Sequence, residues 1–178
     1  MSATKIRKRL KKFDEELDGM IPPKWLKKRC DGCSVPTKLA KRSYIATMLR
    51  AGCDIHDAEY TTIPIMWDRT SKKAKQERRN SDKRLRENIK IIMSARGKHP
   101  IRGKFVGTVF WMALRPFGRW ALTDPRCTKL ERLPLTDQED KDFLDMIEEF
   151  YGPLTEHAKD KLADVTIERK LANYVRTH

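Results

Sequence analysis

The chain has no long apolar run. Nothing in it approaches the ~20 residues that a bilayer-crossing helix needs, which argues against a helical membrane span. Its basic start, Ser2 to Lys12, leads into no uninterrupted apolar stretch of the kind a signal peptide carries. Cysteine is scarce as well. Four cysteines in 178 residues do not make a disulfide scaffold, so a reducing compartment, or release by lysis, is the expected setting. Strand signals are weak and no internal repeat is evident. What remains is a mainly α chain, long enough to bury one core.

Acidic charge is also short at the front. The formal net charge is +14, with about +9 over residues 1–50, about +5 over 51–100 and near zero beyond. A basic front half suits a polyanion: nucleic acid, or an anionic membrane surface. Ile6, Leu10, Phe13, Leu17 and Met20 recur at three- and four-residue steps. They predict an amphipathic helix over residues 1–21, with Lys5, Arg7, Lys8, Arg9, Lys11 and Lys12 on its other face. That face is either solvated or turned to a membrane or nucleic acid. Gly19 and the Pro22-Pro23 pair end the helix. Trp25-Leu26, among Lys24, Lys27, Lys28 and Arg29, reads equally as a lipid-interface anchor or as a plug in the core.

From about Ser43 to Tyr60 the pattern Ile45, Met48, Leu49, Gly52, Ile55 predicts a buried helix. Cys53, His56 and Tyr60 then share one face. Ile63 to Asp68 reads as a loop or short extended piece, broken at Pro64. A long charged helix follows from Ser71 to Arg96, its inner stripe formed by Leu85, Ile89, Ile92 and Met93. Asp82 stands three residues before Leu85, at the head of that stripe, with no opposite charge evident beside it. An unpaired carboxylate there would be costly. Phe105, Val109, Met112 and Leu114 mark the next helix, and residues 123–135 read as a linker. Asp137 to Tyr151 is an acidic helix capped by Thr136 or Asp137. Leu154 to His178 is a final helix on Leu162, Val165, Ile167 and Leu171.

The chemistry concentrates in Cys53-Asp54-Ile55-His56-Asp57-Ala58-Glu59-Tyr60, read with Cys30-Asp31-Gly32-Cys33-Ser34-Val35-Pro36. A histidine acts as a general base when a second group, usually a carboxylate, holds its far ring nitrogen. Asp82 is the candidate for that role, and Tyr60, one turn beyond His56, can bond the same carboxylate. Asp57 lies about 100° further round the helix and faces elsewhere. It can bind a hard cation such as Ca²⁺, with carbonyl oxygens of the Asp31–Ser34 loop completing the shell.

The order C-x-x-H-D-x-x-Y, after a Cys/Gly loop ending in proline and before an aspartate on a later helix, resembles secreted phospholipase A2. A closer resemblance is to a phage and prophage family of unknown function. Its elements read here Asp31-Gly32-Cys33-Ser34-Val35-Pro36, His56-Asp57-Ala58-Glu59-Tyr60, Asp82 with Leu85, and Leu114 through Trp120. The likeness spans about Asp31 to Leu122. It implies a phospholipase-A2-like helical core over 22–122, an N-terminal amphipathic helix over 1–21, and a linker with a C-terminal helical extension over 123–178. It further implies His56 as base, Asp82 and Tyr60 as its support, and Asp57, Asp31 and Gly32 around Ca²⁺. Cys53 would be bonded to Cys30 or Cys33. The secreted enzymes carry several glycines in the calcium loop, whereas only Gly32 stands here.

A second reading counts Cys30-x2-Cys33-x19-Cys53-x2-His56 as a Zn²⁺ site, in which His56 is a ligand and no base. The phage family, as the resemblance implies it, has forms with alanine at the position of Cys33, which a tetrahedral site would not survive. A third reading makes His56 a buried histidine satisfied by Asp82, without activity. The expected partners are an anionic membrane surface or phospholipid, or else other phage structural proteins or DNA. The expected setting is the host cytoplasm or the virion.

Overall fold

The computed structural model describes residues 17–30, 44–95, 101, 105–109, 112, 132–164 and 166, with backbone alone at 44–48. The expected basic helix before residue 17, the apolar positions Ile45, Met48, Leu114, Val165, Ile167 and Leu171, the Asp31–Pro36 loop and the Leu114–Trp120 motif lie outside these residues or side chains. Helices α1 (Lys24–Arg29), α2 (Tyr44–Met66), α3 (Lys72–Ala95) and α4 (Asp137–Tyr151) carry the fold. Further helical residues lie at 105–109 and 156–164, and no strand occurs among the described residues. None of the described helices is long and apolar enough to cross a membrane.

The α2–α3 hairpin is the frame. Its helices run antiparallel, so partners diverge from the connection at 67–71: Ile63 meets Ala74 in one small apolar cluster, His56 meets Asp82, and Gly52 faces Asn88. A Cβ on Gly52 would stand 3.2 Å from Ile92 Cδ1 and 3.4 Å from Asn88 Cβ, so glycine lets the two helices close up. Leu85, Ile89, Ile92 and Met93 do form the buried stripe of α3, packed with Leu49 and Cys53 of α2.

Three expectations change. Helix α2 does not stop before Pro64 but runs to Met66. Pro64 withholds one backbone donor. Burial of Ile63, Ile65 and Met66 holds the last turn regardless. The bond from Trp67 N to Ile63 O, 3.1 Å, closes it. Residues 17–20, expected in the first helix, are not helical, and Gly19 has φ +116°. Asn88 clamps this segment from α3, accepting from Asp18 N at 2.9 Å and donating to Asp18 O at 2.6 Å. Finally, Leu26 is fully buried and Trp25 packs on Phe143 with ring centroids 6.0 Å apart, so the pair plugs the core.

Helix α4 matches its expected span. Thr136 Oγ1 accepts from Glu139 N at 3.2 Å, and Glu139 turns back to accept from Leu135 N at 2.8 Å, a reciprocal capping arrangement. Arg29 of α1 donates to both Glu139 oxygens, at 2.7 and 2.9 Å, tying α1 to the start of α4. Phe143, Met146 and Ile147 join Met20, Leu26, Ala58, Ile65, Met66, Leu133 and Ala158 in one core, so residues after 123 share it with α2.

Candidate active site

Helix α2 is buried around its whole circumference from Gly52 to Glu59, yet Asp54, His56, Asp57 and Glu59 all lie in that stretch. Buried charges persist only when paired. Each of these four has a partner, and the partners come from different directions. Arg50 serves Asp54 (3.5 Å), Asp82 serves His56 (3.2 Å), Arg132 serves Asp57 (3.2 Å) and Arg84 serves Glu59 (2.8 Å).

The His56 side is the expected constellation. His56 Nε2 lies 3.2 Å from Asp82 Oδ1, and Tyr60 OH donates to the same oxygen at 2.7 Å. The other oxygen, Oδ2, accepts from Arg78 Nη1 at 3.1 Å. Asp82 is buried in the hairpin and accepts from three side chains. A carboxylate accepts, so the His56 nitrogen facing Asp82, Nε2, is the one that carries a hydrogen, and in the neutral ring the lone pair falls on Nδ1. The rings of His56 and Tyr60 lie 4.3 Å apart and further fix the imidazole plane. Burial, then the adjacent Asp82 charge, pushes the Tyr60 hydroxyl well above its ordinary pKa. Tyr60 therefore acts as a hydrogen-bond donor and not as an acid near neutrality.

Asp82 was expected to lack an opposite charge in its own stripe. That expectation fails at Arg78, which stands one turn earlier on α3 at the favourable i, i+4 spacing. Arg132 carried no such signal. It is 75 residues from Asp57 and falls in the segment read as a linker, yet it is buried.

On the Asp57 side, Cys30 Sγ and carboxylate oxygens of Asp54 and Asp57 all lie within 4.8 Å of one another. Burial raises the Asp54 carboxyl above its ordinary value, against the opposing pull of Arg50, Lys27 and Arg132. Asp54 Oδ1 is buried without a hydrogen-bond partner. Two carboxylates suit a hard cation, a cysteine sulfur does not, and a guanidinium already sits on Asp57. The described donors thus do not fit Ca²⁺ while Arg132 is in place, and Asp31, Gly32 and Cys33 fall outside the described residues.

The expected zinc set is corrected. Cys53 is disulfide-bonded, so its sulfur is not a thiolate ligand. His56 Nε2 faces Asp82, and the Cys30 thiol donates to Asp54 O at 3.7 Å. Cys30 keeps its thiol, so of the two partners expected for Cys53 it is not the one.

Compared with protein-family models, with curated proteins and with solved structures, the chain matches none.

Proposed function

We propose that the chain is an ester hydrolase acting through a His56–Asp82 dyad, with phospholipid esters as the substrate class. The observation that carries this reading is the pair of bonds on Asp82 Oδ1, from His56 Nε2 and from Tyr60 OH. They leave His56 Nδ1 as a base of defined direction. In the step this supports, Nδ1 takes a proton from water while the water oxygen attacks the ester carbonyl carbon. The tetrahedral intermediate then expels the alcohol, which takes the proton back from His56. Asp82 holds the imidazolium in place throughout and does not itself take the proton.

The lipid part of the reading draws on the surface. Phe105, Val109 and Met112 are 69%, 47% and 62% exposed, and Ile101 is 69% exposed. These positions recur at four- and three-residue steps, while Val106 packs inward against the α2–α3 cluster. Phe105, Val109 and Met112, apolar positions of the expected helix, therefore form an outward ridge. Between Glu87 and Asp124 the sequence has seven Lys and Arg residues and no carboxylate. An apolar ridge in an acid-free basic segment suits an anionic lipid–water interface.

The test is fatty-acid release from phospholipid vesicles. Release that disappears in His56→Ala and in Asp82→Asn supports the dyad. No release from a folded wild-type chain, with or without added Ca²⁺, ends the hydrolase reading. A second reading, a phage virion or assembly protein that binds neighbouring subunits or DNA, draws on one observation. Every buried acid of α2 already has a guanidinium beside it, as a purely structural network requires.

A further inference from the structure

We propose that the outer face of α3 is a contact surface for the phosphate backbone of a nucleic-acid duplex. Lys72, Lys75, Arg79 and Lys83 are exposed and stand three, four and four residues apart. At about 100° per residue they fall within an arc of about 80°, over about 16 Å of helix. Among the described residues, none of these four side chains has an ion pair or a hydrogen bond. The three carboxylates of α3 are engaged by other cations of the same helix. Lys73 holds Glu77 at 2.9 Å, Arg78 holds Asp82 at 3.1 Å and Lys90 holds Glu87 at 2.7 Å.

The arrangement works against the helix that carries it. Lys72 with Lys75, Lys75 with Arg79, and Arg79 with Lys83 are like-charge neighbours at i, i+3 and i, i+4 spacing. The first turn holds Lys72, Lys73 and Lys75 and no acid, so cations crowd the positive end of the helix dipole. A bound polyanion relieves both penalties.

Two observations favour a duplex over other polyanions. Between Lys72 and Glu87 the only apolar residues of α3, Ala74 and Leu85, are buried, so the face has nothing to insert into a bilayer. The face also lacks an aromatic ring on which an unpaired base could stack. A line of four cations about 16 Å long passes about five phosphates of each strand of B-DNA. Contacts of this kind position the backbone and do not read sequence. The surface includes no residue of the His56–Asp82 site, and the proposal holds with or without ester hydrolysis.

The test is fluorescence anisotropy of a labelled DNA duplex of arbitrary sequence, titrated with the full chain over a range of salt. Four phosphate contacts contribute about −3.6 to the slope of log affinity against log salt. Lys75→Ala, Arg79→Ala and Lys83→Ala together keep helix propensity and flatten that slope by about 2.7. Affinity falls on the order of a hundredfold at about 0.1 M salt. Lys141→Ala, Lys159→Ala and Lys161→Ala remove the same charge from exposed positions at the acidic rear and leave the slope unchanged. Should the α3 variant fail to fold, Arg79→Ala alone decides, with a slope flatter by about 0.9.

A wild type that does not bind the duplex at low salt would overturn the proposal. Equal losses in the two triple variants, or tighter binding to the single strand than to the duplex, would overturn it as well. A folded α3 variant that loses affinity for phosphatidylglycerol vesicles and keeps it for DNA would assign the face to a membrane instead.

Discussion

His56 and Asp82 meet across the antiparallel α2–α3 hairpin, Nε2 to Oδ1 at 3.2 Å. Because Asp82 also accepts from Tyr60 and Arg78, it joins the four side chains into one rigid unit. Asp82→Asn keeps the shape but gives Nε2 no obligate acceptor, so the imidazole loses its preferred tautomer. If the dyad hydrolyses esters, kcat falls by about 10³- to 10⁴-fold in a folded variant. Asp82→Ala additionally strands Arg78 in the interior and destabilises by about 3–5 kcal/mol, read from denaturant unfolding.

Tyr60 and Tyr151 test the burial of the same region from another direction. Burial, then nearby Asp82 for Tyr60 and Glu59 for Tyr151, raises both hydroxyls above the ordinary value of 10.0. The unfolded chain ionises its tyrosines near that value while these two stay protonated in the fold. The native state thus binds more protons, and stability falls as pH rises past it. Tyrosinate absorbance of the native chain should show at most two of its four tyrosines before alkaline unfolding exposes the rest. Four ionising together near pH 10, with the fold intact, would contradict the buried network.

Much of this arrangement was legible beforehand, and the exceptions have identifiable physics. The α3 stripe and the α4 bounds follow from apolar period and a Thr136 cap, both local signals. Asp82 stands three residues before Leu85, and helical period places the two on one face. Arg78 is equally local, one turn from Asp82 on α3, but i, i+4 spacing alone does not tell a buried guanidinium from the many exposed charges of the same helix. Pro64 misled for the opposite reason: a local breaker was overruled by the burial of Ile63, Ile65 and Met66, which no window of sequence displays. Arg132 was beyond reach. Nothing near Leu133 and Pro134 tells that a guanidinium will fold back onto Asp57.

Gly19 offers a prediction about the entry to the core. With φ at +116°, its backbone is one that side chains rarely adopt, and a Cβ there would stand 2.6 Å from Glu59 Oε1. The contact also sits beside Met20 N, 3.4 Å from the same Glu59 oxygen. Gly19→Ala should therefore cost about 1–3 kcal/mol and loosen the segment that Asn88 clamps, seen as faster amide exchange at Asp18 and Met20.

Asp54 carries the opposite sign from most acids. An aspartate held by ion pairs has a lowered pKa and stabilises the fold at neutral pH. Burial instead lifts Asp54 above 3.8, so the folded chain holds that proton more tightly than the unfolded one. Stability consequently declines as pH rises from 3.8 through the raised value, and the ionised group remains a cost at pH 7. Asp54→Asn should raise the melting temperature at pH 7 and leave it unchanged at pH 3, where both states are protonated. A variant that melts lower at pH 7 would mean that the Arg50 pair outweighs the burial.

The exposed ridge of Phe105, Val109 and Met112 separates the lipid reading from the assembly reading by direct measurement. Cosedimentation with vesicles of phosphatidylcholine alone and with added phosphatidylglycerol reports partitioning without requiring any turnover. The basic, acid-free segment around the ridge predicts tighter binding to the anionic vesicles, weakened by salt as charge screening grows. The double substitution Phe105→Asp with Met112→Asp removes two apolar side chains and introduces two like charges against the surface. Partitioning should drop on the order of a hundredfold, from the transfer free energies of the two side chains alone. His56→Ala should bind vesicles as wild type does, because the imidazole is buried against Asp82 inside the hairpin and does not reach the surface that would meet lipid. Equal affinity for both vesicle types, or a double variant that binds unchanged, would instead assign the ridge to a protein neighbour.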